Sequence, residues 1–195
     1  MEILLIRHGE SEADILEVHE GRADFSLTDH GRKQVALLKE KVKNEFPPDF
    51  IWCSPLKRAK ETGEAIAESV GCPIQFEEDL MEHNNGIQAG VPFKEAERIK
   101  MPNYPHERIE EGESALEFRL RIESAFSKII AESKFKRIAI VAHGGVITNL
   151  LRSYLKLPVD HGHWFVTGDT GIHLLEIRED GRLVHFMNDT SHLKE

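Results

Sequence analysis

The chain has 195 residues, and 34 acidic against 25 basic side chains give it a formal charge of −9. That balance argues against non-specific binding to nucleic acid or an anionic membrane, both of which need a basic face. It contains no run of about 18 apolar residues, so no transmembrane helix is expected.

The length suits one domain over 1–195, large enough to bury a core without disulfides or structural metal. The N-terminal residues lack the basic and apolar regions of a secretory signal. Cys53 and Cys72 have no CxxC spacing, and Cys53 closes an apolar run, so the expected setting is a reducing cytoplasm.

The first element predicted is a short buried strand at 3–6, apolar throughout and stopped by Arg7-His8-Gly9. Thr28 then offers a helix N-cap, with Leu27 before it as a staple. Val35, Leu38 and Val42 follow at helical spacing until Phe46-Pro47-Pro48 breaks the pattern. A second strand, 50–53, runs into Ser54-Pro55, read as an N-cap with proline at the first helical position. The helix after it, 56–70, ends at Gly71, and a short strand is expected near 74–76.

From about 78 to 112 prolines and glycines interrupt every periodic pattern, the mark of a lid-like binding insertion. Regularity resumes at Ser114, which forms a capping box with Glu117. Leu116, Phe118, Ile122, Ala125, Phe126 and Ile129 are assigned to one face of the helix that follows. A third buried strand, 138–142, ends in His143-Gly144-Gly145 and leads into a helix over 146–154. Two more strands, 171–177 and 182–186, join at the turn Glu179-Asp180-Gly181.

Strands alternating with helices predict a three-layer α/β/α sandwich around a mostly parallel sheet. Ligands of such sheets bind beyond the carboxyl ends of the strands. Three strands end in Arg7-His8, in Ser54 with Arg58 one turn on, and in His143. If they are neighbours, two arginines and two histidines meet at one edge. Guanidinium forks and helix N-termini suit a multi-oxygen dianion such as phosphate. Gly9 and Gly144 would let the backbone come close to it. A neutral imidazole there can attack phosphorus if one ring nitrogen is fixed as donor to a backbone carbonyl.

The stretches Arg7-His8-Gly9-Glu10-Ser11, Leu27-Thr28 with Gly31, Ser54-Pro55-Leu56-Lys57-Arg58 with Thr62, and His143-Gly144-Gly145-Val146 resemble the signature of the histidine phosphatase, or phosphoglycerate mutase-like, superfamily. The resemblance implies transient phosphorylation of His8, with Arg7, Arg58 and His143 around the phosphate and no cofactor or metal. It implies a proton donor at Glu82, in the setting Leu80-Met81-Glu82, with the adjacent His83 as an alternative. It also places Ser11, Asp14, Gly21 and Gly144 at the substrate, expected to be a small phosphorylated metabolite. Three positions depart from the family pattern: Asp14 where asparagine is common, Glu20 where glutamine precedes the glycine, and Ala89 in place of a glutamate. Either the two added carboxylates point away, or the substrate brings a cationic or hydroxyl-rich part to meet them.

The expected activity is a phosphomonoesterase. A mutase is the second reading, disfavoured because Lys94, Arg98, Lys100 and Arg108 of the short insertion are outnumbered by acidic residues. The third is a phospho-ligand or protein-binding module without turnover. His161-Gly162-His163 lacks the companions of a zinc site, and Trp164 is assigned to packing.

Overall fold

The computed structural model describes residues 1–159 and 162–194, so His161 lies outside the described residues. In chain order the strands are β1 (Glu2–Arg7), β2 (Phe50–Cys53), β3 (Ile74–Phe76), β4 (Arg137–Ala142), β5 (Ile172–Ile177) and β6 (Arg182–Asp189). The helices are α1 (Glu12–Leu16), α2 (Asp29–Glu45), α3 (Lys57–Val70), α4 (Phe93–Ala96), α5 (Ala115–Glu132) and α6 (Gly144–Tyr154). The sheet order is β3-β2-β4-β1-β5-β6. Its first four strands are parallel, and β5 and β6 run antiparallel at one edge.

The apolar runs are unbroken because both faces of the central strands are covered. Ile3 and Leu5 of β1 and Ile138 and Ile140 of β4 face α5 and α6, against Ile122, Phe126, Ile147 and Leu150. Leu4, Ile6, Ala139 and Val141 turn the other way, to Leu38 and Val42 of α2 and Ile66 of α3. Each such side chain contributes about 1.5–3 kcal/mol by leaving water. The three layers expected from the sequence are present.

Local signals explain most helix ends. Thr28 accepts from the Gly31 amide at 2.8 Å, and Ser114 and Glu117 form the reciprocal box. Ser54 does not hold the N-cap of α3, which is Leu56; its hydroxyl meets His143 Nε2 at 2.8 Å and accepts from the Leu56 amide at 3.4 Å. Leu116 is off the apolar face and 38% exposed. It lies two residues before Phe118, a spacing that does not share a helix face. The 78–112 segment is more ordered than expected, with single turns at Glu78–Leu80 and Gly86–Gln88 besides α4. It packs on the chain before Gly21, where His19 N–H donates to Val91 and Gly90 N–H to His19.

Where the chain leaves β1 it passes the first turn of α2 at backbone contact. A β-carbon on Gly31 would lie 2.1 Å from the Glu10 carbonyl oxygen, and one on Gly9 2.8 Å from the Gly31 carbonyl. Gly9 is therefore needed for packing against α2. Alanine is the better helix former by about 1 kcal/mol, yet overpacking against backbone costs about 1–3 kcal/mol or more. Gly31→Ala is expected to destabilise the protein, read as a lower urea midpoint at unchanged m-value.

Candidate active site

Strands β2, β4 and β1 are adjacent, and their carboxyl ends are level: Cys53 pairs with Val141, and Arg7 with Ala142. The residues that follow each strand therefore emerge side by side. The His8 amide donates to the Ala142 carbonyl at 3.2 Å and the Ser54 amide to Val141 at 3.0 Å, extending the ladder into the site.

His8 is buried, with Nδ1 2.7 Å from the Gly9 carbonyl oxygen. A carbonyl only accepts, so Nδ1 carries the proton and Nε2 the lone pair. Arg58 Nε donates to that Nε2 at 3.3 Å. Burial, then the Arg58 and Arg7 charges, hold the His8 pKa well below the ordinary histidine value, so the ring is neutral. The His143 ring lies 5.1 Å from that of His8, and its pKa is lowered by burial and by Arg58. Its Nε2 meets Ser54 Oγ, while its buried Nδ1 has no partner among the described residues. With the serine proton given to Nε2, Nδ1 becomes an unpaired donor.

Arg58 is fully buried, its terminal nitrogens donating to the Gly21 and Ala23 carbonyls at 2.9 and 3.0 Å. Its Nε is the nitrogen turned to His8. Arg7 donates to the Thr167 carbonyl at 2.7 Å and pairs with Asp169 at 3.3 Å, and its buried Nε has no partner among the described residues. Burial raises the Asp169 pKa, and the Arg7 charge opposes that rise. Thr62 joins the set by accepting from the Gly9 amide at 3.3 Å and donating to the Arg58 carbonyl.

Glu82 reaches the same edge from the insertion. One carboxylate oxygen accepts from the Gly145 amide at 2.9 Å, at the N-terminus of α6, and the other from the His83 amide at 2.8 Å. A β-carbon on Gly145 would come within 2.5 Å of that carboxylate. Gly145 is thus the constrained glycine, whereas a β-carbon on Gly144 would meet nothing within 4 Å. The Glu82 backbone is clamped by Arg121, which donates to the Asp79, Met81 and Glu82 carbonyls and forms a two-pronged pair with Glu113. His83 is directed elsewhere, its Nε2 donating to the Glu113 carbonyl.

The two departing carboxylates behave differently. Asp14 is turned back to cap α1, accepting from the Ser11 amide at 2.8 Å. Glu20 is turned inward: Oε1 lies 3.4 Å from Arg58 Nε and Oε2 3.9 Å from His8 Nε2. Gly21 adopts a left-handed φ of 48°, with Asn85 where a side chain would be. Sequence reading missed Arg121, Glu113, Thr167 and Asp169. Arg121 lies on a long helix, where a charge reads as part of a solvated face, and the other three lie outside helices and strands, with no local motif to mark their reach. Trp164 is not packed away; it is 72% exposed, with Arg152 over its ring at 5.2 Å.

The protein is of the α/β class, with two arginines and two histidines gathered at the carboxyl edge of the parallel strands of its sheet. The chain belongs to the histidine phosphatase superfamily (branch 1), whose family model matches residues 3–190. It is 34% identical over 149 residues to the Bacillus subtilis uncharacterized phosphatase PhoE, covering 76% of this chain and 75% of that protein. It is 32% identical over 158 residues to the Arabidopsis thaliana phosphoglycerate mutase-like protein 4, covering 76% and 69%. The solved structure of Bacillus stearothermophilus YhfR superposes with a TM-score of 0.88 at 24% identity, covering 99% of each chain.

Proposed function

We propose that the protein hydrolyses small phosphomonoesters through a phosphohistidine at His8. The observation that carries this reading is the His8 ring itself: neutral, its Nδ1–H fixed on the Gly9 carbonyl and its Nε2 lone pair beside Arg58.

Nε2 attacks phosphorus as the ester P–O bond breaks, and the leaving oxygen takes a proton from the Glu82 carboxyl group. A proton on one Glu82 oxygen leaves the other able to accept from Gly145. Arg58 Nε, Arg7 Nε and His143 Nδ1 supply donors for the non-bridging oxygens as charge shifts. Water then attacks the phosphohistidine, giving its proton to the Glu82 carboxylate, and the N–P electrons return to Nε2. Transfer to a bound acceptor alcohol instead of water would make a mutase. The likeness to the phosphoglycerate mutase-like protein favours testing that route, by asking whether phosphate is released from phosphoglycerate or only moved.

Brief incubation with a radiolabelled phosphomonoester followed by a denaturing alkaline quench should leave label on the peptide that contains His8. The bond should survive alkali and break in acid, as a phosphoramidate does. Phosphate release without any trapped label, in a quench faster than turnover, would overturn the covalent route.

A further inference from the structure

Glu20 stands where the proposed chemistry needs phosphate. A phosphoryl group in line for attack brings its phosphorus to about 3–3.5 Å from the nucleophile, with an oxygen in reach of the Arg58 Nε that faces that ring. The Glu20 oxygens hold those places, 3.9 Å from His8 Nε2 and 3.4 Å from Arg58 Nε. Among the described residues it is the carboxylate paired with both.

We propose that Glu20 is an internal anion that competes with the substrate's phosphate for Arg58 and the face of His8, so that phosphate enters only when this carboxylate swings aside or is neutralised by a proton. The inference rests on the reading of this edge as a phosphate site.

The backbone around Glu20 is fixed on both sides. His19 exchanges hydrogen bonds with Val91 and Gly90, and the Gly21 carbonyl accepts from Arg58. The side chain keeps 21% exposure, so a rotation away from Arg58 leads to solvent. A swing costs the contact with Arg58, which the incoming phosphate replaces, and the Ser11 hydrogen bond, whose proton can pass to Asp14 Oδ2 3.2 Å away.

A proton offers the second way. The Ser11 hydroxyl bonds Glu20 and also lies 3.2 Å from Asp14 Oδ2, yet it has one hydrogen for two carboxylates. A proton on Glu20 resolves this, with Glu20 donating to Ser11 and Ser11 to Asp14. The groups facing Glu20 are Arg7 and His8 at the end of β1, Ser11 and Asp14 at α1, and Arg58 on α3. Burial, with Asp14 adding to it, raises the Glu20 pKa against the pull of Arg58, the Ser11 hydrogen bond and Arg7. The competent fraction of sites therefore grows as pH falls, and apparent affinity for an anion scales with that fraction.

Sulfate is the probe, because it stays a dianion from pH 5 to 8. Calorimetry on the full chain should show sulfate binding at least about tenfold tighter at pH 5 than at pH 8. Glu20→Gln should bind at pH 8 about as tightly as the unaltered protein at pH 5, with a flattened pH profile. Glu20→Ala should do the same, and thermal melts of both variants would confirm folding. In turnover of an aryl phosphate, Glu20→Gln should lower KM about tenfold at pH 8 with kcat changed far less. Unchanged sulfate affinity at pH 8, an unchanged pH slope, or a fall in kcat without tighter binding would each overturn the inference. If no phosphomonoester is turned over, the phosphatase reading fails while the sulfate titrations still decide the role of Glu20.

Discussion

Replacing His8 by alanine is expected to lower aryl phosphate turnover by at least about a thousandfold, the scale on which loss of a nucleophile is felt. The other imidazole at the site offers no equivalent lone pair. The His143 ring is 5.1 Å away, its Nε2 held by Ser54 and its partnerless Nδ1 cast as a donor to phosphate. The substitution also leaves Arg58 Nε without its acceptor, a loss of about 1–3 kcal/mol, though Glu20 remains 3.4 Å from that nitrogen. A thermal melt beside the assay separates lost chemistry from lost fold. A rate within about tenfold of the unaltered protein would remove His8 from the reaction. The pH profile adds a second check. Because burial and the arginine charges lower the His8 pKa, the folded ring keeps its lone pair as pH falls through the ordinary histidine range. The acid limb that His8 imposes on kcat/KM, which reports the free protein, should therefore fall below pH ~6.5, the value for an unperturbed histidine.

Glu82→Gln should separate substrates by their leaving groups. A positioned general acid is worth about 10²–10⁴-fold, but only where the departing oxygen needs a proton. Alkyl phosphates should lose close to that factor in kcat, whereas a nitrophenyl phosphate, whose leaving group is stable as an anion, should lose far less. The amide keeps one acceptor oxygen, so one of the bonds from Gly145 and His83 survives. Equal losses for both substrates would mean that Glu82 merely braces the start of α6.

Much of this arrangement could be read from the chain. The strands at its centre are unbroken apolar runs because both faces are covered, and Thr28 and Ser114 mark helix starts through short-range bonds. The convergence of Arg7, His8, Arg58 and His143 was conditional on β1, β4 and β2 being neighbours, which the sheet order satisfies. Long-range choices were not legible. Ser54 had the right identity for a cap, yet its hydroxyl meets a histidine 89 positions later. Asp14 and Glu20 looked alike as added charges, yet one turns back to its own helix and the other faces Arg58. Arg121 holds the Glu82 backbone from 39 positions away, through carbonyls that have no sequence signature.

The place of β1 in the sheet has a consequence for how the molecule comes into being. Glu2 pairs with Arg137 on one side and with Glu176 on the other. During synthesis β1, which leads into His8, is made well before β4 and β5 and must wait for both of its neighbours. Pairings so distant in sequence slow folding, and an unpaired apolar strand is a hazard for association between nascent chains. A ribosome-bound fragment ending before Arg137 would contain His8 and Arg58 without the strand that sets them side by side. The site is thus a late event in the life of the chain, although His8 is made before Arg58 and His143.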